Sequence, residues 1–147
     1  MKDVEILLLS PTQPLIMEAL DRQFTTHHAW ERPDPLGFVR EIGSGIRGLA
    51  PGMRAKVDGA VLDLLPNLEI LANLGVGYDN VDAAGAGRRG VVVTNTPDVL
   101  TDEVADLTLG LLLATIRHIP QADRHVRAGR WPKGAYPLTP TLRGRKV

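Results

Sequence analysis

The chain has 147 residues, of which 44% are hydrophobic and 23% charged; this suits one globular domain, or one domain with an appendage, and excludes a disordered tail. It has no cysteine, which excludes disulfides, thiolate catalysis and cysteine-ligated metal sites, and no apolar run approaches the roughly 18 residues of a membrane span. Basic and acidic residues number 17 each, which excludes chain-wide binding to a polyanion, and no signal-peptide pattern is present, so the sequence predicts a soluble, cytoplasmic protein.

The first 97 residues alternate between strand and helix patterns. Short apolar or β-branched runs predict strands at 4–9, 24–30, 46–50, 68–74 and 91–94. Apolar residues at helical spacing predict helices at 13–22, 34–42, 57–65 and 81–88. This order, with short connections, predicts an α/β domain over 1–97: a parallel sheet with helices on both faces.

A different pattern begins at Thr101, which is predicted to cap a helix whose first turn carries acidic residues. Apolar residues then cover most of the circumference through residue 119, so this helix needs cover on more than one side. A second amphipathic stretch begins at Pro120, and three prolines without periodicity predict a linker over 132–142. Residues 98–147 are therefore predicted to form a long apolar helix followed by a basic arm.

Charge separates along the chain. Residues 1–116 hold 9 basic and 16 acidic residues, whereas 117–147 hold 8 basic residues and 1 acidic residue. Such a tail is either a nucleic-acid arm or a basic face that pairs with acidic protein surface. Trp131, Tyr136 and the prolines favour a docked segment, so we predict no nucleic-acid partner.

Two glycine-rich segments match the bare dinucleotide fingerprint G-x-G-x-x-G, at 43–48 and 85–90. The fingerprint requires a strand before it and a helix after it. Each segment instead lies between a predicted helix and a predicted strand. We interpret both as helix-to-strand turns, which predicts no nucleotide site in this chain.

The loop at 75–80 does have a predicted strand before it and a predicted helix after it. Gly75 and Gly77 let the backbone approach a ligand, and free N–H groups there favour an anion, as does the following helix N-terminus, which Asn80 is predicted to cap. The third glycine is missing, so a small carboxylate fits better than a pyrophosphate. A tight turn without a ligand is the alternative, although ligands of open α/β sheets bind at the carboxyl ends of strands.

Other chemistry-bearing residues are sparse. None of the four histidines has a metal-ligand partner at helical spacing, and His27 and His28 are predicted to point to opposite faces of a strand. The two serines lack any nucleophile motif. The sequence therefore predicts no metal site and no catalytic residue within this chain.

Four motifs follow one another in residues 68–106. They read Leu-Glu-Ile-Leu from 68, Gly-Val-Gly-Tyr-Asp-Asn-Val-Asp from 75, Arg-Gly-Val-Val-Val-Thr-Asn-Thr-Pro from 89 and Thr-Asp-Glu-Val-Ala-Asp from 101. In this order they resemble the D-2-hydroxyacid dehydrogenase family. The continuation through Arg117 and Gly-Arg-Trp at 129–131 is most similar to its glyoxylate/hydroxypyruvate reductase branch.

The resemblance implies a flavodoxin-like substrate domain over 1–97, in which Val76 and Gly77 bind the substrate carboxylate through backbone N–H groups. It also implies that helix 101–119 crosses to a cofactor domain and packs in a homodimer interface. Val104 is then expected near the nicotinamide. Trp131 is expected to reach toward the active site of the partner subunit.

Residues 141–147 resemble the start of the family's NAD(P)-binding domain. The nucleotide fingerprint and the family's catalytic arginine, glutamate and histidine have no counterparts in this sequence. We therefore interpret the chain as the N-terminal part of an oxidoreductase that transfers a hydride between NAD(P) and a 2-hydroxy or 2-oxo acid. Alone it is expected to be inactive and to bind no nucleotide. The alternative is a non-enzymatic module that binds a small carboxylate or a protein partner.

Overall fold

Five parallel strands form the sheet, in the order β2-β1-β3-β4-β5. They are β1 (Glu5–Leu8), β2 (Thr25–His28), β3 (Ile46–Ala50), β4 (Ile70–Ala72) and β5 (Val92–Thr94). This order is that of flavodoxin-like doubly wound folds, and it confirms the predicted parallel α/β sheet.

The computed structural model describes residues 3–52 and 54–146. Met1, Lys2 and Met53 lie outside the described residues, as does Val147, the last residue of the segment that resembles the start of a cofactor domain. The chain divides into two units, Met1–Val99 and Leu100–Val147. In the part that is described, none of the helices combines the length and apolar character needed to cross a bilayer.

Four helices connect the strands: α1 (Pro14–Gln23), α2 (Pro35–Ile42), α3 (Gly59–Leu62) and α4 (Ala83–Arg88). Aspartate caps begin three of them, because a carboxylate satisfies backbone N–H groups that the first turn leaves unpaired. Asp34 accepts from the Gly37 N–H at 3.0 Å and Asp82 from the Gly85 N–H at 2.8 Å. Asp58 caps α3, and the Val61 N–H that donates to its carboxylate lowers the pKa of that group.

The helix predicted at 57–65 is wrong in length, since α3 is a single turn. Val57 is held in extended structure by a backbone bridge to Val81, in which the Val57 N–H donates to the Asn80 carbonyl at 2.7 Å. The Leu65 N–H donates to the Leu62 carbonyl in a tight 3₁₀-type turn, and the next residue, Pro66, cannot continue the helix.

The core lies mainly on one face of the sheet. Leu7, Leu49 and Leu71 are neighbours across β1, β3 and β4, and all three are buried. Val39 of α2, Leu62 of α3 and Ala86 of α4 belong to the same cluster. Right-handed crossovers place these helices on one face and α1 on the other, because only the β1–β2 connection runs toward the β2 edge. Among the described residues α1 buries none, so this second face is thinly covered.

The second unit contains α5 (Thr101–Ile116), α6 (Ile119–Arg127) and a short 3₁₀ helix (Trp131–Lys133). The predicted cap at Thr101 is wrong by one residue, since Leu100 holds the cap position and makes no side-chain cap bond. The predicted continuation to residue 119 is also wrong. His118 adopts a left-handed conformation (φ +53°), and Pro120 sits in the first turn of α6, where its missing N–H is tolerated.

The segment after α6 packs on the helices of its own unit. His125 Nε2 lies 2.9 Å from the Gly134 carbonyl oxygen, and the Tyr136 ring makes edge contacts with His118 and His125. Arg117 donates to the Thr139 hydroxyl at 3.0 Å. Three residues of the predicted linker, Gly134, Tyr136 and Thr139, therefore contact α6 or the residues that join it to α5, whereas most of the linker is exposed.

Candidate functional site

The loop at 75–78 leaves the carboxyl end of β4, beside the carboxyl end of β5. The parallel pairing brings Ala72 next to Thr94, and one further bond, from the Asn73 N–H to the Thr94 carbonyl at 2.9 Å, extends it. The chains that follow the two strands therefore run side by side. This is the edge of an open α/β sheet at which ligands bind.

Three consecutive carbonyl groups of this loop are anchored by donors from the neighbouring segments. The Thr96 N–H donates to the Gly75 carbonyl at 3.0 Å, and the Asn95 side-chain amide donates to the Val76 carbonyl at 2.8 Å. The Asn73 side-chain amide donates to the Gly77 carbonyl at 2.9 Å. Each of the three consecutive carbonyls of the loop therefore already has a donor within the protein.

The N–H groups of the same peptide units are left free. In a trans peptide the N–H points away from the carbonyl, and the described backbone contains no cis bond. The N–H groups of Val76, Gly77 and Tyr78 therefore face away from the anchors, and none of them donates to an acceptor in the described part of the protein. These residues are exposed, so the loop presents a row of main-chain donors that suits a small anion.

The two glycines of the loop serve different purposes. Gly75 has φ +148°, a backbone conformation that is strained for any residue with a side chain. Its N–H donates to the Thr96 hydroxyl at 3.1 Å. Gly77 has no positive φ, and an added β-carbon would meet only the Asp79 carboxylate, at 3.4 Å. Gly75 is therefore required by the turn, whereas Gly77 keeps the space above the donors open.

The following helix contributes less to this site than the sequence suggests. Asp82, not Asn80, caps α4, so the prediction for Asn80 is wrong; the Asn80 amide instead donates to the Ala55 carbonyl at 2.9 Å. The Asp82 carboxylate already accepts from the first turn of α4. Asp79 adds a negative charge next to Gly77. The loop donors therefore act without help from a helix terminus, and the charge of Asp79 weakens their attraction for an anion.

The remaining predicted site residues lie in the second unit. Val104 is an exposed residue of α5, and Trp131 is an exposed residue at the start of the 3₁₀ helix. The two glycine segments that match the bare fingerprint have a helix before a strand, as predicted. Segment 43–48 spans a 3₁₀ turn and the start of β3, and segment 85–90 spans the end of α4 and the turn before β5. Within 3–52 and 54–146 no cluster of histidine and acidic side chains could hold a metal ion.

Asn73, Asn95 and Thr96 were not identified from the sequence as functional. Asn73 lies near the end of the predicted strand 68–74, and Asn95 and Thr96 are the first two residues after the predicted strand 91–94, at the edge where the loop was expected. A side-chain amide or hydroxyl at such a position is a signal, because it is placed to bond the neighbouring loop.

Comparison with known proteins identifies the same family that the sequence motifs resemble. Residues 6–141 match the model of the family described as D-isomer specific 2-hydroxyacid dehydrogenase, catalytic domain. Hydroxyphenylpyruvate reductase of Plectranthus scutellarioides is 38% identical over 147 residues, which are 100% of this chain and 47% of the relative. The chain spans about half the length of the curated relative it matches.

Solved structures agree in fold as well as in sequence. A 2-hydroxyacid dehydrogenase from Ketogulonicigenium vulgare Y25 is 41% identical with a TM-score of 0.84, covering 99% of this chain and 46% of that one. An NADPH-dependent glyoxylate/hydroxypyruvate reductase from Sinorhizobium meliloti, in complex with NADP and malonate, is 42% identical with a TM-score of 0.78, covering 98% and 44%. The family match and the shared fold lead to one conclusion: the chain belongs to the D-isomer specific 2-hydroxyacid dehydrogenase family.

Proposed function

We propose that this chain is the substrate-binding part of an NAD(P)-dependent oxidoreductase, which transfers a hydride between the nicotinamide and a 2-hydroxy or 2-oxo acid. The observation that carries the proposal is the row of free N–H groups at Val76, Gly77 and Tyr78. Its support includes the chain's family and the small acid, malonate, named with the Sinorhizobium meliloti relative.

The role of these residues in the reaction is orientation. Charge-assisted hydrogen bonds from two or three fixed N–H groups hold the carboxylate of the acid in one direction. That fixes the adjacent C2 carbon, where the hydride is gained or lost, relative to the protein. The loop fits the carboxylate that all 2-oxo acids share, and we assign the class of glyoxylate and hydroxypyruvate because relatives of this chain are named as reductases of these acids.

The described residues do not fit a dinucleotide cofactor. Their two fingerprint-like segments lie before strands, where no helix N-terminus faces a pyrophosphate. The NAD or NADP of the proposed enzyme is therefore assigned to the part of the relatives that this chain does not cover.

Four expectations remain predictions. Val104 is expected near the nicotinamide, Trp131 near the active site of the partner subunit, and the protein in the cytoplasm. A homodimer through α5 is part of the same proposal.

Oxalate and glyoxylate are expected to bind the loop weakly. A few hydrogen bonds in water contribute only about 0.5–1.5 kcal/mol each, and Asp79 opposes the anion. In a titration followed by amide NMR, the signals of Val76, Gly77 and Tyr78 should shift first and furthest. Shifts centred elsewhere, for example around His27, would contradict a main-chain carboxylate site.

NADH and NADPH are expected not to bind these 147 residues. The physical reason is the missing strand-turn-helix glycine loop, without which no set of N–H groups cradles the pyrophosphate. Nucleotide fluorescence should show no saturation into the high micromolar range. A low-micromolar dissociation constant would show that a nucleotide site exists within residues 1–147, and the assignment of the cofactor to the uncovered part would be wrong.

A further inference from the structure

Each free N–H of the loop shares its peptide unit with one anchored carbonyl. The Val76 carbonyl and the Gly77 N–H form one unit, which the Asn95 amide holds at 2.8 Å. The Gly77 carbonyl and the Tyr78 N–H form the next unit, which the Asn73 amide holds at 2.9 Å. Because a trans peptide is rigid and planar, fixing the carbonyl fixes the direction of the N–H.

We propose that Asn73 and Asn95 are positioning residues, which aim the Tyr78 and Gly77 N–H groups, respectively, at the substrate carboxylate. The inference rests on the proposed function and deepens it. Neither side chain need touch the acid, since each bonds the carbonyl end of a peptide unit whose N–H points the opposite way. Their contribution is preorganisation: without them the two peptide units would have to be ordered when the acid binds.

The burial of Asn73 argues that its amide is not there for stability alone. The residue is 4% exposed, and within the described structure no group donates to its Oδ1 atom. A buried oxygen without a partner costs free energy that an apolar side chain of similar size would avoid. Only the NH₂ end of the amide can face the Gly77 carbonyl, since two acceptors would repel. The one hydrogen bond of this side chain within the described structure is therefore the bond that fixes the Tyr78 peptide.

A matched control lies at the amino ends of the strands, at the end of the sheet opposite to the loop. Asn67 precedes β4, and its side-chain amide donates to the Ser44 carbonyl, at 2.7 Å, just before β3. This bond has the same chemistry as the two anchors and lies remote from the loop. Asn67→Ala therefore removes an equivalent bond without touching the proposed site.

The first measurement requires no ligand. Residual dipolar couplings of the N–H vectors at 76–78 are recorded for the whole chain and for Asn73→Ala, Asn95→Ala and Asn67→Ala. Asn95→Ala is expected to change the coupling of Gly77, and Asn73→Ala that of Tyr78, whereas Asn67→Ala changes neither. Couplings that stay unchanged in both anchor variants, or that change identically in all three, would overturn the inference.

The second measurement is the affinity for oxalate, from the same amide titration, with thermal stability recorded alongside. Each anchor variant is expected to bind about tenfold more weakly, while Asn67→Ala keeps the wild-type affinity. Unchanged affinity in a variant that has lost its anchor would overturn the inference and leave the proposed function standing. A wild-type chain that binds no oxalate would overturn both. Should Asn73→Ala fail to fold, the half-buried Asn95 provides the same test alone.

Discussion

Replacing Gly77 with valine is expected to abolish carboxylate binding at loop 75–78 while the fold stays intact. Gly77 has no positive φ, and a β-carbon there would contact only Asp79, at 3.4 Å, so the protein itself has room for a side chain. The valine would instead fill the space in front of the free N–H groups and keep the acid from approaching the backbone. The oxalate-induced shifts of Val76 and Tyr78 should disappear, with the rest of the amide spectrum preserved.

Gly87→Val is the matched control for this substitution. Gly87 is exposed on α4, has no positive φ, and an added β-carbon would meet nothing within 4 Å. It adds the same side chain in open space, away from the loop, so oxalate binding should persist. If Gly77→Val bound oxalate as well as this control does, the acid would not be held by the loop backbone.

The second large effect is expected in the oligomeric state of the chain. Leu107, Leu109 and Leu111 of α5 are 61%, 58% and 58% exposed. Burying a leucine side chain is worth roughly 1.5–3 kcal/mol, so three of them approach the whole net stability of a small domain. Pairing with a second copy removes this surface from water, and a two-fold dimer is the commonest closed arrangement. Sedimentation equilibrium should therefore give about twice the 15.9 kDa of one chain.

Leu109→Lys combined with Leu112→Lys is expected to convert the dimer into a monomer, or into an aggregate, because two charges would enter the apolar interface. Leu15→Lys combined with Leu138→Lys serves as the control, since these leucines are exposed on α1 and in the segment after α6. The control should stay dimeric. A well-behaved wild-type monomer that is indifferent to the α5 substitutions would show that this helix does not mediate self-association.

The strands of the sheet were predictable because their signal is local. The run at 46–50 forms β3 with the predicted bounds, and the glycines before it supply the turn. Helix α3 was predicted too long because Val57 is held by a bridge to Val81, and local periodicity carries no information about a partner 24 positions away. The break at His118 was missed since Ile119 continues the apolar pattern of α5 up to Pro120.

The position of the candidate site along the chain was predictable, but the side chains that anchor its loop were not. Two glycines between a strand and a helix indicated the loop, and the resemblance to the dehydrogenase family implied Val76 and Gly77 as its donors. The anchors were not predictable, because Asn95 is 19 residues from Val76 and meets it only once β4 and β5 pair. Asn80 and Asp82 are both good capping residues, and the bond from Asn80 to the Ala55 carbonyl, which decides between them, is again long-range.

A binding surface made of main-chain atoms has a consequence for protein engineering. In the proposed site, any residue other than proline at positions 76 and 78 keeps the main-chain donor. A mutant library confined to the side chains of Val76 and Tyr78 would therefore change the surroundings of a bound acid and leave recognition of its carboxylate intact. The same holds in evolution. The part of the site that contacts the rest of the substrate can change, while binding of the carboxylate, which the whole substrate class shares, is kept. To lose carboxylate binding, a library must instead sample Gly77, in front of the donors, or Asn73, Gly75 and Asn95, which shape and anchor the loop.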